Sequence, residues 1–168
     1  MKNFARALKY EAWANARTLE SVRAVAGDAG GSAGGGAAAV ADAVRLMAHI
    51  AAAQTIWRLR LLGEDSSAQA VWPDWDLDRT EREIAVNLAA FEDYERTMTK
   101  ETLAAEITYR NSEGTEYRNT AHEVLRHLNR HAVYHRGQIA SRVVEAGGTP
   151  AATDYIVWVR EMKGEPAR

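Results

Sequence analysis

The chain contains no cysteine. Disulfides, thiolate metal ligands and a cysteine nucleophile of its own are therefore excluded, and five histidines remain as the soft ligands. Proline is scarce, with three in 168 residues, so long helices can run without a break. Neither sign of charge dominates: 21 Lys+Arg against 23 Asp+Glu give a formal net charge of -2. That balance argues against a domain built to hold a nucleic-acid backbone. Long apolar runs are missing too. The opening Met1-Lys-Asn-Phe-Ala-Arg leads into a mixed charged and apolar stretch, unlike a signal peptide. The longest apolar-looking run, Leu46 to Ala53, carries His49 and is too short to span a bilayer. The expectation is a cytoplasmic protein with no membrane and no nucleic-acid partner.

What is present fits an ordinary globular fold. Hydrophobic residues make up 46% and charged residues 26%, and the length predicts a single domain over 1–168 with a sizeable core. Phe4, Leu8, Trp13, Leu19 and Val22 mark an amphipathic helix over about Asn3–Val25. Gly27 to Gly36 is rich in Gly, Ala and Ser and reads as a flexible loop. A second helix, about Ala37–Leu62, carries Leu46, Ile50, Ala53, Trp57 and Leu61 as one buried stripe and stops at Gly63. Glu64–Arg79 reads as a loop whose Trp72 and Trp75 pack back over something apolar. A third helix, about Arg79–Lys100, turns Ile84, Leu88, Phe91 and Met98 inward.

Between Thr102 and Asn119, two β-prone runs, Ile107–Arg110 and Thr115–Arg118, flank Asn111-Ser-Glu-Gly114 and predict a small hairpin leaning on the helices. Thr120 with Glu123 forms a capping box opening the fourth long helix, which reaches about Ala146 before Gly147-Gly148 and Pro150. A short helix over about Thr153–Met162 follows. The fold class is all-α: a four-helix bundle with a hairpin before the last long helix and a short C-terminal helix.

Four of the five histidines, His122, His127, His131 and His135, fall on the fourth helix, and His49 falls on the second. On a helical wheel centred on Val124, Leu125, Leu128, Ala132, Ile139 and Val143, His135 lies roughly 40° from the centre of the apolar face, His131 roughly 80° and His127 roughly 120°. His131 and His135 are four apart, so both project from one side and can chelate one ion. Imidazole suits zinc, nickel, copper and iron. A third ligand has to come from a facing helix, and His49 flanks the apolar stripe of helix two. Three neutral imidazoles would leave an open coordination position, the catalytic rather than the structural pattern. A metal-free reading stands beside this one, with His49 a hydrogen-bonded residue at the core edge.

His127 and His122 read as surface residues. Arg126, Arg130 and Arg136 read as a solvated face whose aliphatic stems cover the core edge. Trp13, Trp57, Phe91 and Trp158 read as core. Gln138 either orients a ligand or caps a polar edge, and Tyr134 is either a donor behind the ligands or a packing residue. Tyr109, Tyr134 and Gln54 are base candidates by residue type alone, so no catalytic residue is assigned.

His131-Ala-Val-Tyr-His135-Arg-Gly-Gln-Ile139 resembles the HxxYHRGQ signature of the DinB/YfiT-like family of metal-binding four-helix-bundle proteins. Ala48-His49-Ile50, then Trp57 and Leu61-Leu62-Gly63, is similar to that family's helix-two motif, and Thr149-Pro150 through Asp154-Tyr155 and Trp158 resembles its C-terminal ending. The resemblance implies a bundle that dimerises and binds a divalent ion, nickel, zinc or iron, through His49, His131 and His135. Relatives include metal-dependent transferases and isomerases that use low-molecular-weight thiols such as bacillithiol or mycothiol. Gln54 stands where members often carry an acidic residue, so a role for that carboxylate is absent here. The Gly-rich loop is also unusual, though loops lengthen at small cost.

The expected function is a metal-dependent thiol transferase or hydrolase with a three-His open site, acting on a small-molecule thiol or electrophile as a homodimer. The alternative is a non-enzymatic stress-response or small-molecule-binding bundle whose metal is structural or sensing.

Overall fold

The computed structural model describes residues 2–28, 35–111 and 113–165. The elements run α1 (Lys2–Asp28), α2 (Gly35–Leu61), α3 (Leu77–Thr97), α4 (Lys100–Ala104), β1 (Glu106–Arg110), β2 (Glu116–Thr120), α5 (Ala121–Glu145) and α6 (Tyr155–Met162). Four long helices form the bundle, as the hydrophobic spacing predicts. The Gly-rich stretch is shorter than expected, since Gly27 and Asp28 close α1 while Gly35 and Gly36 open α2. Residues 29–34 lie outside the described residues.

α2 is the central helix, packing against α5, α3 and α1. A single buried stripe was expected on it. Instead Ala43, Met47 through Ala53, Thr55 and Ile56 are all buried, because neighbours cover more than one face. Alanine at 48 and 51–53 places small side chains at these buried positions. Gly36–Leu61 is long and apolar enough to cross a membrane, and half of its apolar window is buried inside the bundle.

Caps fix the helix ends. Asp76 accepts from the Arg79 amide at 2.7 Å to start α3. Thr120 and Glu123 form the predicted reciprocal box at the start of α5. A second such box, Thr99 with Thr102, opens α4, a turn that periodicity over so few residues could not announce. At the far end of α5 the chain reverses through Gly147 at φ 86, and a Cβ on Gly148 would collide with the Val25 side chain of α1.

The hairpin pairs Thr108 with Arg118 and Tyr109 with Tyr117 in antiparallel register. It leans on α2 as an isolated hairpin must: Tyr109 meets the Trp57 ring edge-on at 4.9 Å. α6 docks on α1, where Trp158 is buried against Tyr10 and Ala14, and the Trp13 indole N–H donates to Glu161 at 2.9 Å.

Two buried polar knots tie the helices together. Between α2 and α3, the Asn87 amide donates to the Ala51 carbonyl at 3.1 Å and to the Thr55 hydroxyl at 2.9 Å, and Arg58 donates to its oxygen at 3.1 Å. Between α1 and α5, Arg136 donates to both Glu11 oxygens at 2.8 and 3.1 Å and to Asn15 at 2.9 Å. This corrects the reading of Arg136 as part of a solvated face: it is 3% exposed. A guanidinium can be buried when its N–H fork meets a carboxylate in bidentate fashion, and Glu11 supplies one from 125 residues away. Arg126 and Arg130 are exposed, as expected.

Candidate metal centre

The α2–α5 interface brings three histidines together. His49 and His135 are buried and His131 is half-buried, and each offers a nitrogen within 4.8 Å of the other two. The spacing on α5 accounts for two of them, one turn apart on the side facing α2. The packing of α2 on α5 accounts for the third: His49 is itself buried, and its ring meets His131 and His135 in the seam between the two helices.

Hydrogen bonds orient two of the rings. The Nδ1 of His49 lies 2.7 Å from the Val71 carbonyl, and the Nδ1 of His135 lies 2.7 Å from the Gln138 carboxamide oxygen. Both partners are acceptors, so each Nδ1 is the protonated nitrogen and each Nε2 keeps its lone pair. A carbonyl behind a ligating imidazole is how metal-binding histidines are held in the right tautomer. The Nε2 atoms of His49 and His131 are 3.1 Å apart. Two nitrogens so placed, each about 2.1 Å from one ion, would subtend about 95° at it, within reach of tetrahedral or octahedral coordination.

Burial favours the neutral form of two of the rings, His131 and His49. Burial pushes the His131 pKa down to about 3, helped by the neighbouring His135, His49 and His127. Burial also lowers His49, against the pull of the Val71 carbonyl, with His135 and Arg45 adding to the lowering. Uncharged imidazole is the ligand form, so an ion entering at neutral pH meets little competition from protons. The donor set, tautomers and spacing therefore fit a divalent ion. Among the described residues no carboxylate joins the cluster.

One wall of the site comes from the loop before α3. Trp72 stacks on the His49 ring at 3.8 Å with an interplanar angle of 10°. The loop tryptophan does pack back, but onto an imidazole rather than an apolar surface. Arg45, one turn before His49, places its guanidinium 4.9 Å from the Trp72 ring centre. Beyond His135 a groove of about 600 Å³ opens between α2 and α5.

The remaining candidates separate clearly. His127 is exposed and packs edge-on against Trp57 at 5.3 Å, with its ring 5.4 Å from His131 and outside the cluster. His122 is exposed. Gln138 takes the orienting role. Tyr134 is 66% exposed, with its ring edge 5.1 Å from His135. Tyr109 donates to Asn119 at 2.8 Å in the hairpin. Gln54 faces another cavity, of about 40 Å³, beside Glu11 and Asn15, a volume for a few water molecules. Of the three base candidates, only Tyr134 borders the histidines.

The sequence reading missed the Val71 carbonyl and the Glu11–Arg136 pair. A backbone carbonyl leaves no mark in a sequence. The pair leaves a faint one: Glu11, Asn15 and Thr18 repeat at helical spacing on a face of α1 that is otherwise apolar, and all three are buried.

No curated protein and no solved structure matches the chain. The sequence model of the DinB family matches residues 1–166. The match runs through both helices that carry the histidines, and so the chain belongs to the DinB family.

Proposed function

We propose that His49, His131 and His135 hold one divalent ion, nickel, zinc or iron, and that the protein is a metal-dependent thiol transferase or hydrolase. The observation that carries this reading is the convergence of three ligand nitrogens within 4.8 Å, two of them with the opposite ring nitrogen already hydrogen-bonded. A bound ion would supply Lewis acidity, lowering the pKa of a thiol or water so that a nucleophile forms at neutral pH. The chain's own residues prepare the site. Val71 and Gln138 fix the two rings, Trp72 shields His49 from solvent, and the groove beside His135 admits a small molecule. With no cysteine in the chain, thiol chemistry requires an external thiol. A cytoplasmic setting belongs to the same reading, because small thiols are kept reduced there. So does a homodimer, for which exposed Val133 and Val144 on α5 offer apolar surface.

One observation favours a second reading. The groove's carboxylates, Asp42 and Glu145, are both engaged by Arg142, at 3.4 and 2.5 Å, so among the described residues no free carboxylate base lines the groove beside His135. A sensing or small-molecule-binding bundle needs none.

Elemental analysis of protein purified without a histidine tag tests the metal. The expected result is about one ion per chain, lost in His49→Ala, His131→Ala and His135→Ala and kept in His127→Ala. Retention of metal in His49→Ala would remove α2 from the site. A screen of metal-loaded protein with small thiols and electrophiles separates enzyme from sensor, and silence across the panel favours the sensor.

A further inference from the structure

A second groove, of about 340 Å³, lies where α1, α4 and α5 meet. Its floor is apolar, built from Phe4, Ala7, Leu103 and Leu125. Its rim is basic: His122, Arg126 and Arg130 line it, and no Asp or Glu does. These three residues are spaced by four on α5, so they project from one side of the helix over two turns. The groove shares no lining residue with the one beside His135.

The two arginines of the rim are unpaired. Glu123, three residues before Arg126, is committed to the capping box with Thr120. Among the described residues neither Arg126 nor Arg130 has an ion-pair or hydrogen-bond partner, and both are exposed. Like charges one turn apart on a helix repel each other, and an anion held between them relieves that repulsion. The backbone offers such an anion little. The amides of Thr120, Ala121 and Glu123 already donate within the chain, to the Glu123 carboxylate, the Ala105 carbonyl and the Thr120 hydroxyl. Recognition falls to the planar guanidinium forks, which match a carboxylate in bidentate fashion.

The floor selects the rest of the molecule. Phe4, Ala7, Leu125 and Asn129 also wall the interior cavity beside Glu11. The core is therefore incompletely packed behind the groove, and its floor can yield to a bulky apolar body. Glu11 at the inner end is already answered by Arg136, so an acid group gains nothing there and belongs at the rim.

We propose that this groove binds a small organic acid, an aryl or branched acyl body bearing one carboxylate. Arg126 and Arg130 hold the carboxylate, and Phe4, Leu103 and Leu125 hold the body. The site stands apart from the three histidines and does not depend on the metal reading.

Amide chemical-shift titration of the full chain measures the affinity and shows where a probe sits. The probes are hydrocinnamate, its uncharged amide, acetate and inorganic phosphate. Wild type should bind hydrocinnamate at least about tenfold more tightly than the other three, with the largest shifts around Leu103 and from Leu125 to Arg130. The double variant Arg126→Gln, Arg130→Gln should reduce the preference over the amide to below about threefold, and Arg126→Lys should keep part of it. Arg45→Gln, in the other groove, should leave it unchanged. Equal affinity for hydrocinnamate and its amide, or shifts centred elsewhere, would overturn the proposal. Acetate or phosphate binding as tightly as hydrocinnamate would reduce the rim to a general anion patch and overturn it as well. Failure of wild type to bind hydrocinnamate would overturn it outright, and a dimer dissociated by the double variant would then assign the groove to a second copy of the chain.

Discussion

Two polar clusters meet at adjacent residues of α5 and differ in one respect. Around Arg136 every polar group is answered: both Glu11 oxygens, the Asn15 oxygen and the Tyr10 hydroxyl meet the guanidinium, and Asn129 donates to Glu11 at 2.7 Å. Around His135 the Nδ1 atoms of His49 and His135 are answered by oxygens, whereas the only inner contact among the described residues is between the Nε2 atoms of His49 and His131, at 3.1 Å. One ring nitrogen of each of His49, His131 and His135 lies within 4.8 Å of the other two. The first cluster is complete within the chain and can only hold α1 to α5. The second has three nitrogens close enough together to hold a metal ion. Successive residues on a helix point about 100° apart, so one turn of α5 serves both purposes.

The comparison breaks most visibly at Arg136. Arg136→Ala strands the Glu11 carboxylate in the interior and should cost about 3–5 kcal/mol, read as a lower urea midpoint with or without metal. His131→Ala in metal-free protein should cost about 1 kcal/mol or less, because the ring is only half-buried and its one hydrogen-bond contact among the described residues is with His49. The reverse ordering would show that the histidine cluster is a structural knot like the other.

Gln138→Ala sharpens the metal side. It removes the acceptor behind His135 and should weaken metal binding by about 10- to 100-fold while leaving the urea midpoint nearly unchanged. Competition with a chromogenic chelator measures the first effect. Trp72→Ala should weaken metal binding less, since the stacked indole shields His49 without hydrogen-bonding it.

Acid distinguishes the clusters as well. The unfolded chain protonates His131 near its ordinary 6.5, whereas the folded chain resists until about 3. The unfolded state therefore binds more protons between these values. The contribution of His131 to stability is full above pH 6.5 and declines as pH falls from there towards 3. Urea midpoints of metal-free protein at pH 7.5 and pH 5 should show the drop, and His131→Ala should make it shallower. His127→Ala is the smallest expected change, with metal affinity kept within about twofold because this ring lies outside the cluster.

How far these clusters can be read from sequence follows from how local their causes are. The capping box at Thr120, the stop at Gly147 and the pairing of His131 with His135 are set by residues within a few positions of one another, and each stands in the structure as the sequence implies. His49 was legible as a candidate because it alone lies on another helix, though only packing of α2 on α5 could bring it near. Arg136 was misread because its partner is 125 residues away, although the buried Ala132, Ile139 and Val143 beside it on the wheel mark that face as an interior one. The stack of Trp72 on His49 depends on the path of a loop, which local propensity does not set. α4 has too few residues for a periodic signal, and its cap Thr99 is recognisable only once α3 is known to end at Thr97.

X-ray absorption at the edge of the bound metal tests the central claim most directly. The account predicts three imidazole nitrogens in the coordination shell of wild-type protein and two or fewer in any preparation of His49→Ala that retains metal. A wild-type shell lacking imidazole, or one unchanged by His49→Ala, would contradict it.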